Sequence, residues 1–359
     1  MNSHDIKIGK TPIGLAHPTY FIADIAANWD GDLERAKDLI YLCAKAGANA
    51  AKFQNFQAKT IVSDYGFRQL SGGGRISHQA TWKKSVFEVY KQASLPIEWT
   101  AELKQTCEKA GVDYFTTPYD PDQVQTLSRY VAAWKLGSGD ITWHSFIEQL
   151  AQDGKPLLIA TGASSLEEVH LAIAAARRHT QDLVLMQCNT NYTASLENFK
   201  HIHLNVLKTF AHDFPGMVLG LSDHTPGHST VLGAVTLGAR VVEKHFTDDN
   251  LREGPDHKFS MTPATWREMV DRTRELEQAL GAEVKALARN EDDSVLVQRR
   301  AVRAKYALQK GAVLKEGDLI MLRPIPAKGL PPYQASLVLG KHLNRDIPEG
   351  DCICLHDLA

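Results

Sequence analysis

One pattern recurs eight times along the chain: an apolar run of strand length, a polar tip, then a segment whose apolar residues keep helical spacing. The clearest instance spans Gly220 to His257. An apolar run from Met217 to Leu221 stops at Ser222-Asp223-His224, and a helical stretch follows from Gly227 to about Leu237. A second apolar run, Arg240-Val241-Val242, then ends in Glu243-Lys244-His245-Phe246. The other strand-like runs fall at 20–26, 50–54, 113–117, 132–136, 156–161 and 183–188, and the spacing predicts helices over 31–46, 97–110, 121–129, 143–151, 165–178, 203–214 and 263–280. Residues 6–19 read as a short hairpin or leading loop. Eight strand–helix units in about 280 residues match the size and repeat of a (β/α)8 TIM barrel. A doubly wound open sheet is the structural alternative, but no glycine-rich fingerprint follows the first run.

The interruptions to the rhythm are as informative. Residues 55–96 form a long excursion with a helix expected around 82–93, and Ser71-Gly72-Gly73-Gly74 within it reads as a flexible, lid-like stretch rather than a phosphate loop, since it neither follows a strand nor opens a helix. The barrel is expected to occupy residues 1–282. A polar, mixed-charge linker then covers 283–298, and a small β-rich domain with short strand-like runs and frequent Gly and Pro covers 299–359.

Composition narrows the function. The 359 residues are 43% hydrophobic and 23% charged, ordinary for a soluble globular protein, and the net charge of −2 gives no electrostatic footprint for nucleic acid or an anionic membrane. No stretch approaches transmembrane length and the N-terminus lacks an apolar signal region, so a cytoplasmic protein is expected. The five cysteines (43, 107, 188, 352 and 354) are scattered and odd in number, which reads as free thiols in a reducing compartment. Cys352-Ile353-Cys354 is too isolated a pair to mark a metal site.

In a parallel barrel the C-terminal strand ends build one pocket. Taken in order, those ends supply Asp24 and Asn28; Lys52 and Gln54; Thr116 and Thr117; Lys135 with Ser138 and Asp140; Thr161; Asn189, Thr190 and Tyr192; Ser222, Asp223 and His224; and Glu243 and His245. Two lysines, several hydroxyls and amides, two imidazoles and several acids suit an anionic, phosphate-bearing substrate beside a divalent metal. His224 and His245 are too far apart in sequence to share a helix face, but adjacent strands could join them as metal ligands; each could equally be an ordinary polar strand end. Lys52, Lys135 and Asp24 sit inside apolar runs, where an unpaired charge is costly, so each is either ion-paired or functional. Thr116 or Thr117 could serve only to satisfy backbone groups, and Asp256, after Gly254-Pro255, could be a turn residue.

Together the segments FIADIAANWDGDLERAK, AAKFQNF, YFTTPYD, WKLGSGD, LLIATGAS, LSDHTPG and EKHFTDDNLREGPDH resemble the sialic acid (N-acetylneuraminate and related nonulosonate) synthase family. The C-terminal stretch RRAVRAKYALQKGAVLKEGDLIMLRPIPAKGLPP is similar to the antifreeze-like (SAF) domain that follows the barrel in that family. The resemblance covers essentially the whole chain. It implies condensation of phosphoenolpyruvate with an N-acetylated hexosamine, such as N-acetylmannosamine, to a nine-carbon sialic acid and phosphate. By the same resemblance His224 and His245 would hold Mn²⁺ or Mg²⁺. Lys52, Lys135, Ser138, Ser222, Tyr192 and one of Thr116 and Thr117 would hold phosphoenolpyruvate, Asp256 would touch sugar hydroxyls, and Asp24 or Glu243 would manage protons. Arg323 would reach from the SAF domain of one subunit into the barrel of the other, implying a domain-swapped homodimer.

The sequence departs from the family at Asp24, where Glu is usual, and at Tyr192-Thr193-Ala194-Ser195, where Tyr-Pro-x-Pro is usual. Ala26-Ala27-Asn28-Trp29 is nearer the legionaminic and pseudaminic branches, which would make a diacetamido-trideoxyhexose the acceptor. The competing readings are a metal-dependent or Schiff-base aldolase on the same barrel, and a carbohydrate-binding protein in which only the C-terminal domain acts.

Overall fold

The computed structural model describes residues 4–70, 79 and 82–359. The chain forms two compact units, Met1–Gly281 and Ala282–Ala359. The expected glycine-rich stretch at 71–74 lies outside the described residues.

The first unit opens with a hairpin, β1 (Ile6–Ile8) and β2 (Thr11–Ile13), paired antiparallel. Eight parallel strands then close on themselves: β3 (Tyr20–Asp24), β4 (Ala50–Asn55), β5 (Asp113–Pro118), β6 (Trp134–Leu136), β7 (Leu157–Ala160), β8 (Leu183–Cys188), β9 (Val218–Asp223) and β10 (Ala239–His245), with β10 bonded back to β3. The open-sheet alternative is thereby excluded. The excursion after β4 adds two short helices the periodicity did not reveal, Ala58–Ile61 and Asp64–Gln69, before the helix Val86–Ala93.

Strand alternation decides what each residue does, because successive side chains leave a strand on opposite faces. Outward residues such as Phe21, Ala23, Phe53, Trp134 and Ile159 pack under the helices. Inward residues fill the barrel in layers. Tyr20, Ile22, Ala50, Phe115, Leu158, Val184, Met186 and Val241 make an apolar plug, and Ile6, Ile8 and Ile13 of the hairpin join the same cluster. Gly220 is inward on β9, where an added Cβ would come within 2.8 Å of the Val241 carbonyl oxygen and 2.9 Å of Met186 Cγ. Close packing of β8, β9 and β10 therefore requires glycine there. One layer higher, the same inward face turns polar.

The second unit pairs β11 (Ala301–Ala304) with β12 (Leu319–Leu322) antiparallel. Its other strand-like runs make only isolated bridges, such as Val313 with His342 and Arg303 with Cys352. Val302, Ala304, Leu314, Val338 and Ile353 form a separate core. Within the stretch expected to be a linker, Asp292–Gln298 is helical: Asp292 and Asp293 sit in the first turn, where acids favour a helix start.

Candidate active site

The polar face of the barrel interior follows directly from register. On β3, β4, β9 and β10 the inward positions next above the plug are Asp24, Lys52, Ser222 and Glu243, with Gln54 and His245 above them. Pairing sets His245 beside Asp24, Asp24 beside Lys52, and Glu243 beside Ser222. Lys52 Nζ donates to Asp24 Oδ2 at 2.7 Å and to Thr117 Oγ1 at 3.2 Å, and lies 3.6 Å from Glu243 Oε1. Lys135 Nζ lies 3.4 Å from the same Glu243 oxygen. Burial opposes the charge on Lys52, but Asp24 and then Glu243 outweigh it and raise its pKa. Two buried ammonium groups thus converge on one carboxylate. The second oxygen of that carboxylate, Glu243 Oε2, is buried without a hydrogen-bond partner.

A cavity of about 340 Å³ opens above this layer. It is lined by Asp24, Lys52, Gln54, Thr117, Lys135, Ser138, Tyr192, Ser222, His224, Glu243 and His245 among others, so most of the residues singled out in the sequence come together. Asp256 lines an adjoining cavity that shares Gln54, Tyr192 and His245 with the first. Burial pushes its carboxyl up to about 6, and its Oδ2 accepts the Ala27 backbone N–H at 3.2 Å.

Thr116 and Thr161 are not among the pocket residues. Both occupy outward strand parity. Thr116 Oγ1 is spent on Asn55 Oδ1 at 2.6 Å, and Thr161 Oγ1 on the Met186 carbonyl at 3.0 Å. Of the threonine pair it is Thr117 that faces the cavity. Thr190 is half-buried beside Gly162, where an added Cβ would lie 2.5 Å from its Cγ2; Gly162 lets that loop close while its N–H donates to Ser138 Oγ at 2.9 Å. Arg323 follows β12 in the second unit and is exposed. Asn28 serves structure, donating to the Phe246 carbonyl at 2.8 Å and to Ser260 Oγ at 2.9 Å. Asp223 is also outward: with Lys244, Thr225 and Thr230 it forms a buried polar knot behind the site.

Asp24 keeps its contacts despite being shorter than Glu. Its Oδ1 accepts the Ala26 N–H two residues on at 3.1 Å, a local turn that a short side chain makes readily, while Oδ2 meets Lys52 and, at 3.1 Å, Gln54. Ala26 there has a positive φ of 47°.

The imidazoles suit a divalent cation. Burial lowers the pKa of both, leaving the neutral form that ligates metals. His224 Nδ1 is 2.9 Å from the Asn189 carbonyl, which can only accept; Nδ1 therefore carries the proton and Nε2 keeps its lone pair. His245 Nδ1 is buried without a partner. The two ring centroids are 5.4 Å apart. Among the described residues, the three ligand-type side chains that converge within 4.8 Å are instead Cys354, His356 and Asp357 of the second unit. There Asp357 is already held by Arg345 at 2.5 Å and by the Cys354 N–H at 2.9 Å. A cation between His224 and His245 would draw its remaining ligands from substrate or water, as at an open catalytic site.

Sequence reasoning missed Tyr90, Tyr119 and Phe259 and gave Asp140 no role. Tyr119 follows β5 and lines both cavities, and Phe259 packs edge-on to His245 at 4.8 Å. Asp140 lines the cavity, and burial pushes its carboxyl up to about 6. Its signal was its place two residues past Ser138, at a strand end.

A family model described as the NeuB family matches residues 39–285, and one described as the SAF domain matches 299–359. The chain belongs to the NeuB family. It is 32% identical to the N,N'-diacetyllegionaminic acid synthase of Legionella pneumophila, with 95% of each chain covered. It is also 32% identical to the pseudaminic acid synthase of Campylobacter jejuni, covering 93% of this chain and 95% of that one. Its fold is similar to that of the N-acetylneuraminic acid synthetase of Leptospira borgpetersenii solved with citrate, with a TM-score of 0.70, 25% identity, and 82% and 95% of the two chains covered. NeuB relatives with these names are enzymes of nonulosonic acid synthesis, and the closed barrel followed by a SAF domain is the architecture expected for the family. No helix among the described residues is long and apolar enough to cross a membrane.

Proposed function

We propose that this chain condenses phosphoenolpyruvate with the open-chain form of an N-acetylated amino sugar, forming a nine-carbon nonulosonic acid and inorganic phosphate. The observation that carries the reading is the convergence of Lys52 and Lys135 on Glu243, at 3.6 and 3.4 Å, in a cavity that also presents Ser138, Ser222 and two neutral imidazoles. An anion that binds both ammonium groups competes for positive charge already present, and the serine hydroxyls can donate to its oxygens.

Carbon 3 of phosphoenolpyruvate attacks the aldehyde carbon and the new C–C bond forms. The aldehyde oxygen takes up a proton, water adds at carbon 2, and the C–O bond to phosphate breaks. Asp24 and Gln54 hold the aldehyde end, and the Asp24 carboxylate, with its oxygens fixed by Ala26 and Lys52, is placed to relay a proton taken up from water to the new alkoxide. Asp140, with a pKa near 6, is the second proton carrier, suited to take the proton of the attacking water. His224 and His245 would hold a divalent cation, Mn²⁺ or Mg²⁺, which supplies a Lewis acid for the aldehyde oxygen. In this reading the enzyme works in the cytoplasm as a homodimer in which Arg323 completes the partner's acceptor site.

The test uses phosphoenolpyruvate labelled with heavy oxygen in the C–O–P bridge. Label recovered in inorganic phosphate supports C–O cleavage; label retained in the sugar acid contradicts it. Borohydride trapping of the chain on a keto substrate at Lys135 would instead favour a Schiff-base aldolase.

A further inference from the structure

Asp223 and Lys244 stand immediately before His224 and His245, and the proposed chemistry uses neither. Register places them side by side at the ends of β9 and β10. Both point out of the barrel, because the inward positions there belong to Ser222, Glu243 and the imidazoles. Their side chains are each 1% exposed and form an ion pair. Lys244 Nζ also donates to the Thr225 backbone carbonyl at 2.5 Å. One ammonium group thus holds the residue before His224 and the residue after it, from the strand that carries His245. Asp223 Oδ2 accepts further from Thr225 Oγ1 at 2.7 Å and from Thr230 Oγ1 at 2.8 Å, the latter on the helix Ser229–Thr236. The His224 ring is held separately, through Nδ1, by the Asn189 carbonyl.

A purely stabilising role does not account for this pair. Taking two charges out of water is costly, and packed apolar side chains of similar volume often serve stability as well or better. An apolar pair could not hold the Thr225 carbonyl or tie one strand tip to the next in a fixed geometry. The tips so tied carry the two imidazoles, whose ring centroids are 5.4 Å apart. Ligands of a cation must be held within about 0.5 Å of their working positions by the groups behind them.

We infer that Lys244, acting through Asp223 and the Thr225 carbonyl, sets the separation of the two imidazoles and is a positioning residue for the divalent cation. This rests on the reading of His224 and His245 as its ligands. The experiment titrates Mn²⁺ into the full chain and follows the free ion by electron paramagnetic resonance, with phosphoenolpyruvate affinity measured separately in chelator. Lys244→Met alone would strand the Asp223 charge, so the main comparison uses Asp223→Asn/Lys244→Met, which removes both charges with little change of volume. The Kd for Mn²⁺ is expected to rise by about 10–100-fold, the usual cost of losing a group that orients a metal ligand, while the Kd for phosphoenolpyruvate stays unchanged. Thr230→Val, which deletes one Asp223 contact and leaves both charges, is expected to raise the Mn²⁺ Kd by a smaller factor. An unaltered Mn²⁺ Kd in both variants, or an equal loss of phosphoenolpyruvate affinity, overturns the inference and leaves the ligand assignment standing. A parent chain that binds no Mn²⁺, or one that binds it equally well after His224→Ala, contradicts the ligand assignment and the inference together.

Discussion

Asp140 is half-buried with its carboxyl held near 6, and burial alone accounts for that. The folded chain keeps a proton there that the unfolded chain releases. The stability this group contributes is therefore complete below the ordinary aspartate range, about pH 4, and is lost as pH rises through about 6. Asp140→Asn removes the titration. Its melting temperature should exceed that of the parent at pH 7 and match it near pH 4, while phosphate release falls; an equal gain at both pH values would contradict the assignment. Lys52 and Asp24 show the opposite arrangement. Each is charged and almost fully buried, and breaking a pair of this kind costs about 3–5 kcal/mol because it strands the remaining charge. The sequence showed that these charges needed partners but not which, because the choice depends on strands 28 residues apart lying side by side.

At the scale of elements, one rule of alternation separates plug, polar layer and outer core. The strand runs made the barrel legible, and the same parity, once β5 and β7 are registered, separates Thr117 from Thr116 and Thr161. What sequence periodicity could not reach lies where there is no period. The helices Ala58–Ile61, Asp64–Gln69 and Asp292–Gln298 are too short to show an apolar stripe, and the packing of Phe56 and Trp82, both outside helices and strands, onto Tyr90 of the helix Val86–Ala93 is a tertiary contact that no period encodes. The hairpin offers a direct test of the layered interior. Ile8 is fully buried in the plug cluster, and neighbouring Lys7 is exposed. Ile8→Ala should lower stability by about 2–5 kcal/mol, and Lys7→Ala by no more than about 0.5 kcal/mol. Equal losses in chemical denaturation would show that the hairpin does not share the barrel core.

For the whole molecule, two units with separate cores carry the residues of one proposed reaction, with Lys135 in the first and Arg323 in the second. If Arg323 serves the partner's barrel, a Lys135→Ala chain and an Arg323→Ala chain, each impaired alone, should recover part of the activity when mixed and allowed to exchange subunits. No recovery would place Arg323 in its own subunit's site or outside catalysis. The measurement that bears most directly on the proposed chemistry is phosphate release from phosphoenolpyruvate, with Mn²⁺ and an N-acetylated amino sugar, each omitted in turn, and with a chelator added. Release that needs phosphoenolpyruvate, sugar and metal together is the expected result. Release without the sugar, or undiminished by the chelator, would contradict it.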